Sequence, residues 1–102
     1  MIHVLAIVTA KPGMRDTILK IFHANMPAVH AEKGCIEYGP AIDAEGAGGI
    51  QTKLGPDSYV VVEKWEGIEA LKAHAAAPHM AAYAAKTKEM IASRVIHVLS
   101  PG

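Results

Sequence analysis

Residues 63–83 hold most of the side chains in this chain that could carry out chemistry. Two of the six histidines, His74 and His79, occur there together with the single tryptophan, Trp65, and with Glu63 and Tyr83. Histidine has the side-chain pKa closest to physiological pH, so a neutral imidazole can accept a proton from a bound hydroxyl group. The clustering predicts a pocket floored by Trp65 and Tyr83, in which one histidine acts as the base.

A purely structural role is the competing interpretation of the same residues. Trp65 would then be a core residue of a strand, while His74 and His79 would lie on a helix surface. Spacing alone favours this structural interpretation, because isolated histidines and tryptophans serve packing more often than catalysis. The catalytic pocket is therefore a hypothesis that the fold has to support.

The histidine spacing does not predict a metal site. His23 and His30 are two turns apart on one predicted helix, about 10 Å, which is too far for them to share an ion. His74 and His79 are separated by five positions and a proline, whereas a helical zinc pair has a separation of four. We expect no metal.

No other motif predicts a cofactor or a nucleophile. The glycine-rich residues 46–51 lack a following Gly-Lys-Ser/Thr and lead into a strand, so they do not form a phosphate-binding loop for a flavin or nicotinamide. Residues 45–57 are interpreted as a long, mobile hairpin loop, with a lid as the less favoured alternative. Cys35 has no base motif beside it and is treated as a small apolar residue.

Size and charge limit the classes of partner. The 102 residues fit one domain, residues 1–102, and ten Lys and Arg balance ten Asp and Glu. Without a basic field we expect no nucleic acid and no membrane among the partners, and an uncharged small molecule instead. The single cysteine and the absence of a signal-peptide pattern predict a cytoplasmic protein.

The hydrophobic periodicity predicts the order β-α-β-β-α-β. Period-two alternation and helical spacing place strands at 2–10, 35–44, 58–66 and 94–99, and helices at 14–32, 67–76 and 78 to about 92. This is an α+β, ferredoxin-like split βαβ arrangement, with a four-stranded antiparallel sheet.

The predicted sheet has two apolar faces but helices for only one of them. Leu5 and Ile7 alternate with one set of apolar residues in the first strand, as Val60 and Val62 do in the third. Leaving about 400 Å² of such a face in water costs roughly 10 kcal/mol. We therefore expect a homodimer whose sheets pack face to face.

Short motifs along nearly the whole chain resemble the antibiotic biosynthesis monooxygenase family, specifically its quinol monooxygenase branch. They are Gly34-Cys35 with Tyr38, Pro40 and Asp43; Gln51; Pro56-Asp57-Ser58; Glu63 with Trp65-Glu66 and Ile68; Leu71 with Ala73-His74; Pro78-His79-Met80 with Ala82-Tyr83; and Leu99-Ser100-Pro101-Gly102. The resemblance implies a dimeric α+β barrel that oxygenates quinols or polycyclic phenols with dioxygen and without flavin, haem or metal.

The resemblance also implies roles for individual residues. His74 or His79 would be the base, and the side chains that shape the aromatic slot or orient the hydroxyls would be Trp65, Tyr83, Met80, Phe22, Tyr38 and Glu63. Three alternatives remain open. One is a haem-degrading relative, although the first strand lacks that group's asparagine and Tyr83-Ala84 occupies the region of its haem-ligating histidine. Another is a sibling branch that resembles autoinducer-processing proteins and would isomerise a small phosphorylated sugar-like molecule, for which only Arg15 and Arg94 could bind the anion. The third is a non-catalytic dimeric barrel that carries or senses an apolar ligand.

Overall fold

The computed structural model describes all of residues 1–102, which form one four-stranded sheet with three helices. In chain order the elements are β1 (Ile2–Ala10), α1 (Arg15–His30), β2 (Cys35–Ala41), β3 (Ser58–Trp65), α2 (Ile68–Ala75), α3 (Pro78–Thr87) and β4 (Ile91–Leu99). The strands lie in the order β2-β3-β1-β4, with every neighbouring pair antiparallel. This confirms the ferredoxin-like α+β prediction.

The core lies between one face of the sheet and the helices. Alternate residues of β1 and β3 point into it, because successive side chains of a strand face opposite sides. Helix α1 closes it with Ile18, Phe22 and Val29, whose spacing of four and seven places them on one helical face. The buried apolar strand residues are Val4, Ala6, Val8, Ala10, Tyr38, Tyr59, Val61 and Trp65.

The last helix is shorter, and the last strand longer, than the sequence indicated. Helix α3 ends at Thr87, one 3-10 turn covers Lys88–Met90, and β4 begins at Ile91 instead of residue 94. The Met90 carbonyl accepts a hydrogen bond from the Lys11 amide, and Ala10 pairs with Ile91. Pairing with β1 therefore overrides the helical preference of this stretch, and the prediction of a helix to about residue 92 is wrong.

Segment 45–57 is held by specific hydrogen bonds. The Asp43 carboxylate accepts from the amides of Leu54 and Gly55, each at 2.9 Å, and Gln51 donates to the Ala44 carbonyl. Strand β2 ends at Ala41, so the prediction of a strand to residue 44 is also wrong there. Asp43 instead closes the base of the loop.

The opposite face of the sheet has no helix over it. Leu5, Val95 and Leu99 are 36%, 53% and 42% exposed on that face, and Leu5 pairs with Val62. We call this surface the bare face. The longest helix has 16 residues, and no helix combines the length and apolar character needed to cross a membrane.

Candidate active site

A cavity of about 810 Å³ opens between the helix-covered face of the sheet and helices α2 and α3. Of its 22 lining residues, 17 are hydrophobic. The five others are Glu63, His74, Thr87, Lys88 and Arg94. A largely apolar cavity of this size with few polar groups is typical of a small-molecule site.

Most of the side chains selected from the sequence meet at this cavity. Those that line it are Phe22, Tyr38, Glu63, His74, Met80 and Tyr83. Trp65 is completely buried beneath it and packs against the His74 ring, with the ring centroids 4.6 Å apart. His79 is not among the lining residues, because α3 directs its ring toward Glu32.

Aromatic rings form one wall of the cavity. The Phe22 and Tyr38 rings stack with their centroids 5.0 Å apart, and Tyr83 meets Phe22 edge-on. The Tyr59 and Tyr83 hydroxyls lie 3.3 Å apart. Burial is the main reason that the pKa values of Tyr38, Tyr59 and Tyr83 are raised, so all three keep their protons at neutral pH.

His74, on α2, is held in place by a carboxylate that the sequence did not single out. Its Nδ1 lies 2.8 Å from the Glu32 Oε2, and the His79 Nε2 lies 2.8 Å from the same oxygen. An ionised carboxylate has only acceptor atoms, so both imidazoles donate to it. In a neutral His74 ring the other nitrogen, Nε2, then carries the free lone pair.

Glu63 lies on the far side of His74 Nε2. Its Oε1 accepts a 2.9 Å hydrogen bond from the Trp65 indole and is 4.0 Å from His74 Nε2. Burial raises the pKa of Glu63, although the bond from Trp65 opposes the shift. A 4.0 Å separation is too long for a hydrogen bond, but a hydroxyl oxygen placed to one side of the line joining the two atoms can lie about 3 Å from each of them.

The same cluster contains the donor atoms that a metal ion would need. One ligand atom each from Glu32, His74 and His79 lies within 4.8 Å of the others. Two histidines and a carboxylate form a donor set that suits zinc or iron. In this structure the three groups already satisfy one another through the shared Glu32 oxygen, which accounts for their proximity without an ion.

Comparison with known proteins gives a consistent result. A family model described as "Antibiotic biosynthesis monooxygenase" matches residues 1–86. The Escherichia coli K12 protein named "Probable quinol monooxygenase YgiN" is 36% identical over 104 residues, covering 100% of this chain and 99% of that protein. A crystal structure titled "antibiotic biosynthesis monooxygenase" matches with a TM-score of 0.80 at 19% identity, covering 100% and 99% of the two chains. Rv0793 from Mycobacterium tuberculosis matches with a TM-score of 0.79 at 25% identity, covering 98% and 93%.

Proposed function

Because the chain belongs to the antibiotic biosynthesis monooxygenase family and is a monooxygenase, we propose that its substrate is a quinol or a polycyclic phenol. One atom of dioxygen enters the ring and the other leaves as water, so that a quinol gives a hydroxyquinone. The quinol supplies the electrons itself, and in this proposal no flavin, haem or metal takes part. The E. coli relative, which carries the words "quinol monooxygenase" in its name, supports this substrate class.

The observation that carries the proposal is the position of His74 at an apolar cavity. In the neutral ring its Nε2 has a free lone pair beside the cavity, and a hydroxyl oxygen placed to one side of the 4.0 Å line to Glu63 Oε1 can contact both atoms. Beside these two groups a substrate O–H can donate to His74 Nε2, while a Glu63 carboxyl that keeps its proton, as burial favours, can donate to the same oxygen and orient it. A ring attached to that oxygen would extend toward Phe22 and Tyr83.

The chemistry needs such a base. A quinol hydroxyl has a phenol-like pKa near 10, so ionising it at pH 7 costs roughly 4 kcal/mol. The quinol anion transfers an electron to dioxygen more readily than the neutral quinol does. An apolar wall keeps water away from the radical pair that this transfer creates, which limits side reactions.

Of the two histidines, we assign the base to His74. His79 does not line the cavity, and its Nε2 donates to Glu32. Phe22, Met80 and Tyr83 would shape the slot, Tyr38 and Glu63 would orient the hydroxyls, and Trp65 would support the floor. We further propose that the enzyme acts in the cytoplasm as a homodimer joined through the bare face.

Replacing His74 tests the assignment. In His74→Gln we expect the rate of oxygen uptake with menadiol, above its autoxidation rate, to fall by about 10²- to 10⁴-fold, the usual contribution of a general base. His23→Gln is the matched control, since His23 is exposed on α1 and away from the cavity. Circular dichroism would verify that both variants are folded. Unchanged turnover in His74→Gln would exclude His74 as the base.

Oxygen uptake, a hemin titration and the positions of the arginines discriminate the alternatives. A carrier of apolar ligands would bind a quinone without consuming oxygen. A haem-degrading enzyme would give a shifted Soret band on titration with hemin. A sugar-phosphate isomerase would need more than one arginine at the substrate, and Arg94 lines the cavity whereas Arg15 lines a separate polar cavity.

A further inference from the structure

We propose that Glu32 is a positioning residue for catalysis, which holds His74 in the one tautomer that leaves Nε2 free to act as the base. His79 has the supporting role of anchoring the Glu32 carboxylate. The inference rests on the proposed function for its catalytic meaning. The side-chain arrangement itself can be tested without any turnover.

Two short hydrogen bonds meet at Glu32 Oε2. Both His74 Nδ1 and His79 Nε2 lie 2.8 Å from this oxygen, a distance typical of strong hydrogen bonds to a charged acceptor. A neutral imidazole carries one proton, so a proton held on Nδ1 leaves Nε2 bare. Nε2 is the nitrogen that lies beside Glu63 and the cavity.

The Glu32 and His74 side chains are largely shielded from water. The side chains of Glu32 and His74 are only 13% and 7% exposed. A carboxylate so poorly hydrated is retained at low cost only where donors replace the lost water. The two imidazole N–H groups provide that replacement, and removing either leaves the carboxylate partly unsatisfied.

The Glu32–His74 pair would stabilise the charge that proton transfer creates. When the substrate O–H gives its proton to Nε2, the O–H bond breaks, an N–H bond forms, and His74 becomes a cation. The Glu32 carboxylate then lies 2.8 Å from a positively charged ring, which it stabilises. The proton leaves Nε2 again when the reduced oxygen atom departs as water, so His74 is regenerated.

Glu32 lies outside the cavity and does not touch the substrate. It follows α1, whereas His74 and His79 belong to α2 and α3. Its carboxylate therefore joins three elements at one point. A carboxylate that fixes the tautomer of a catalytic base has the same physical role as the aspartate of a serine-hydrolase triad.

The test compares Glu32→Gln with Glu69→Gln, a control on α2 whose side chain is 92% exposed. In Glu32→Gln we expect kcat for menadiol to fall about 10²- to 10⁴-fold with KM nearly unchanged, since a base held in the wrong tautomer loses most of its contribution. The ¹⁵N NMR signals of the His74 ring, measured without substrate, should change from a fixed Nδ1–H form to a mixture of tautomers. Glu69→Gln should alter neither measurement.

The NMR and turnover results together distinguish failure of the positioning role of Glu32 from failure of the proposed function. A His74 ring whose ¹⁵N signals are the same in wild type and Glu32→Gln overturns the positioning role, whatever the turnover. If the signals change but the wild-type enzyme consumes no oxygen with quinols, the proposed function fails and the role of Glu32 in fixing the tautomer stands.

The role of His79 and the metal alternative are tested with two more measurements. His79→Gln keeps an N–H donor for Glu32, so we expect it to retain more activity than His79→Ala. A loss in His79→Gln as large as that in His74→Gln would overturn the anchoring role. Turnover that rises with added Zn²⁺ and falls with a chelator would show that the three groups are ligands, and would overturn the inference.

Discussion

Glu63 is a buried carboxyl group, and burial makes its ionisation costly. The residue is only 7% exposed, and this burial raises its pKa above the ordinary value for glutamate. The Glu32 carboxylate adds to the shift, whereas the Trp65 hydrogen bond and the nearby His74 ring oppose it. Because the pKa is higher in the folded chain than in the unfolded one, ionisation of Glu63 reduces stability as the pH rises.

Glu63→Gln should reveal this cost as a function of pH. Below the ordinary glutamate pKa both proteins carry a neutral side chain at this position, so their melting temperatures should be similar. As the pH rises through the raised pKa of Glu63, the wild type loses stability that the variant keeps, so Tm of the variant minus Tm of the wild type should increase between pH 4 and pH 7.5.

Thermal unfolding followed by circular dichroism measures this difference. Glu69→Gln, at an exposed position, should show no such trend. A Tm difference for Glu63→Gln that falls with increasing pH would contradict the raised pKa.

Site residues could be predicted from the sequence where they lie close together along the chain. His74, Glu63 and Trp65 lie within twelve residues, and the sequence therefore indicated them as a group. Glu32 was missed because its hydrogen bond to His74 spans 42 residues. The available signal was Gly34, two residues after Glu32, because residues beside a glycine that packs closely against another element must lie near that element.

At the scale of elements, Gly34 determines how closely α1, β2 and α2 meet. Its φ is +84°, and a Cβ built there would lie 2.6 Å from the Ala70 Cβ on α2. A side chain at this position would therefore be strained and would also push α2 away. Glu32, two residues before Gly34, is thereby brought close to His74 on α2.

Gly34→Ala should lower the free energy of unfolding more than Gly13→Ala does. Gly13 also has a positive φ, +78°, but a Cβ added there would have no atom within 4 Å, so only the backbone cost of about 1 to 2 kcal/mol applies. Gly34→Ala adds the steric conflict with Ala70, and the double variant Gly34→Ala/Ala70→Gly should recover that part. Urea unfolding measures all three, and equal losses for the two single variants would contradict the close approach.

The elements were predictable from periodicity, and their ends were not. Period two in β1 and β3, and the apolar spacing of α1, gave elements whose ends agree with the structure to within about two residues. The boundary between α3 and β4 was misplaced because Ile91 pairs with Ala10, a contact that no local preference encodes. Similarly, Asp43 ends the hairpin by accepting two amides from the returning chain.

At the scale of the whole molecule, no element of the chain packs over the bare face. Helices cover only one side of the sheet, while the register places Leu5 between Val62 and His97 on the other side. Leu5, Val95 and Leu99 are 36% to 53% exposed there. Several large apolar side chains exposed together on one sheet face are unusual for a monomer, and a two-fold-related copy would cover them with the same residues.

Leu5→Lys should therefore convert a dimer into a monomer without unfolding it. In the monomer the lysine stem can lie along the sheet with its ammonium group in water, whereas in a dimer the charge would be buried in an apolar interface without a partner. Light scattering coupled to size-exclusion chromatography should give twice the chain mass for the wild type and the single chain mass for Leu5→Lys. Ile50→Lys, at a loop position 93% exposed and away from the bare face, should keep the dimer mass. A wild-type protein of single chain mass, or a Leu5→Lys protein that remains dimeric, would mean that this face is not the dimer interface.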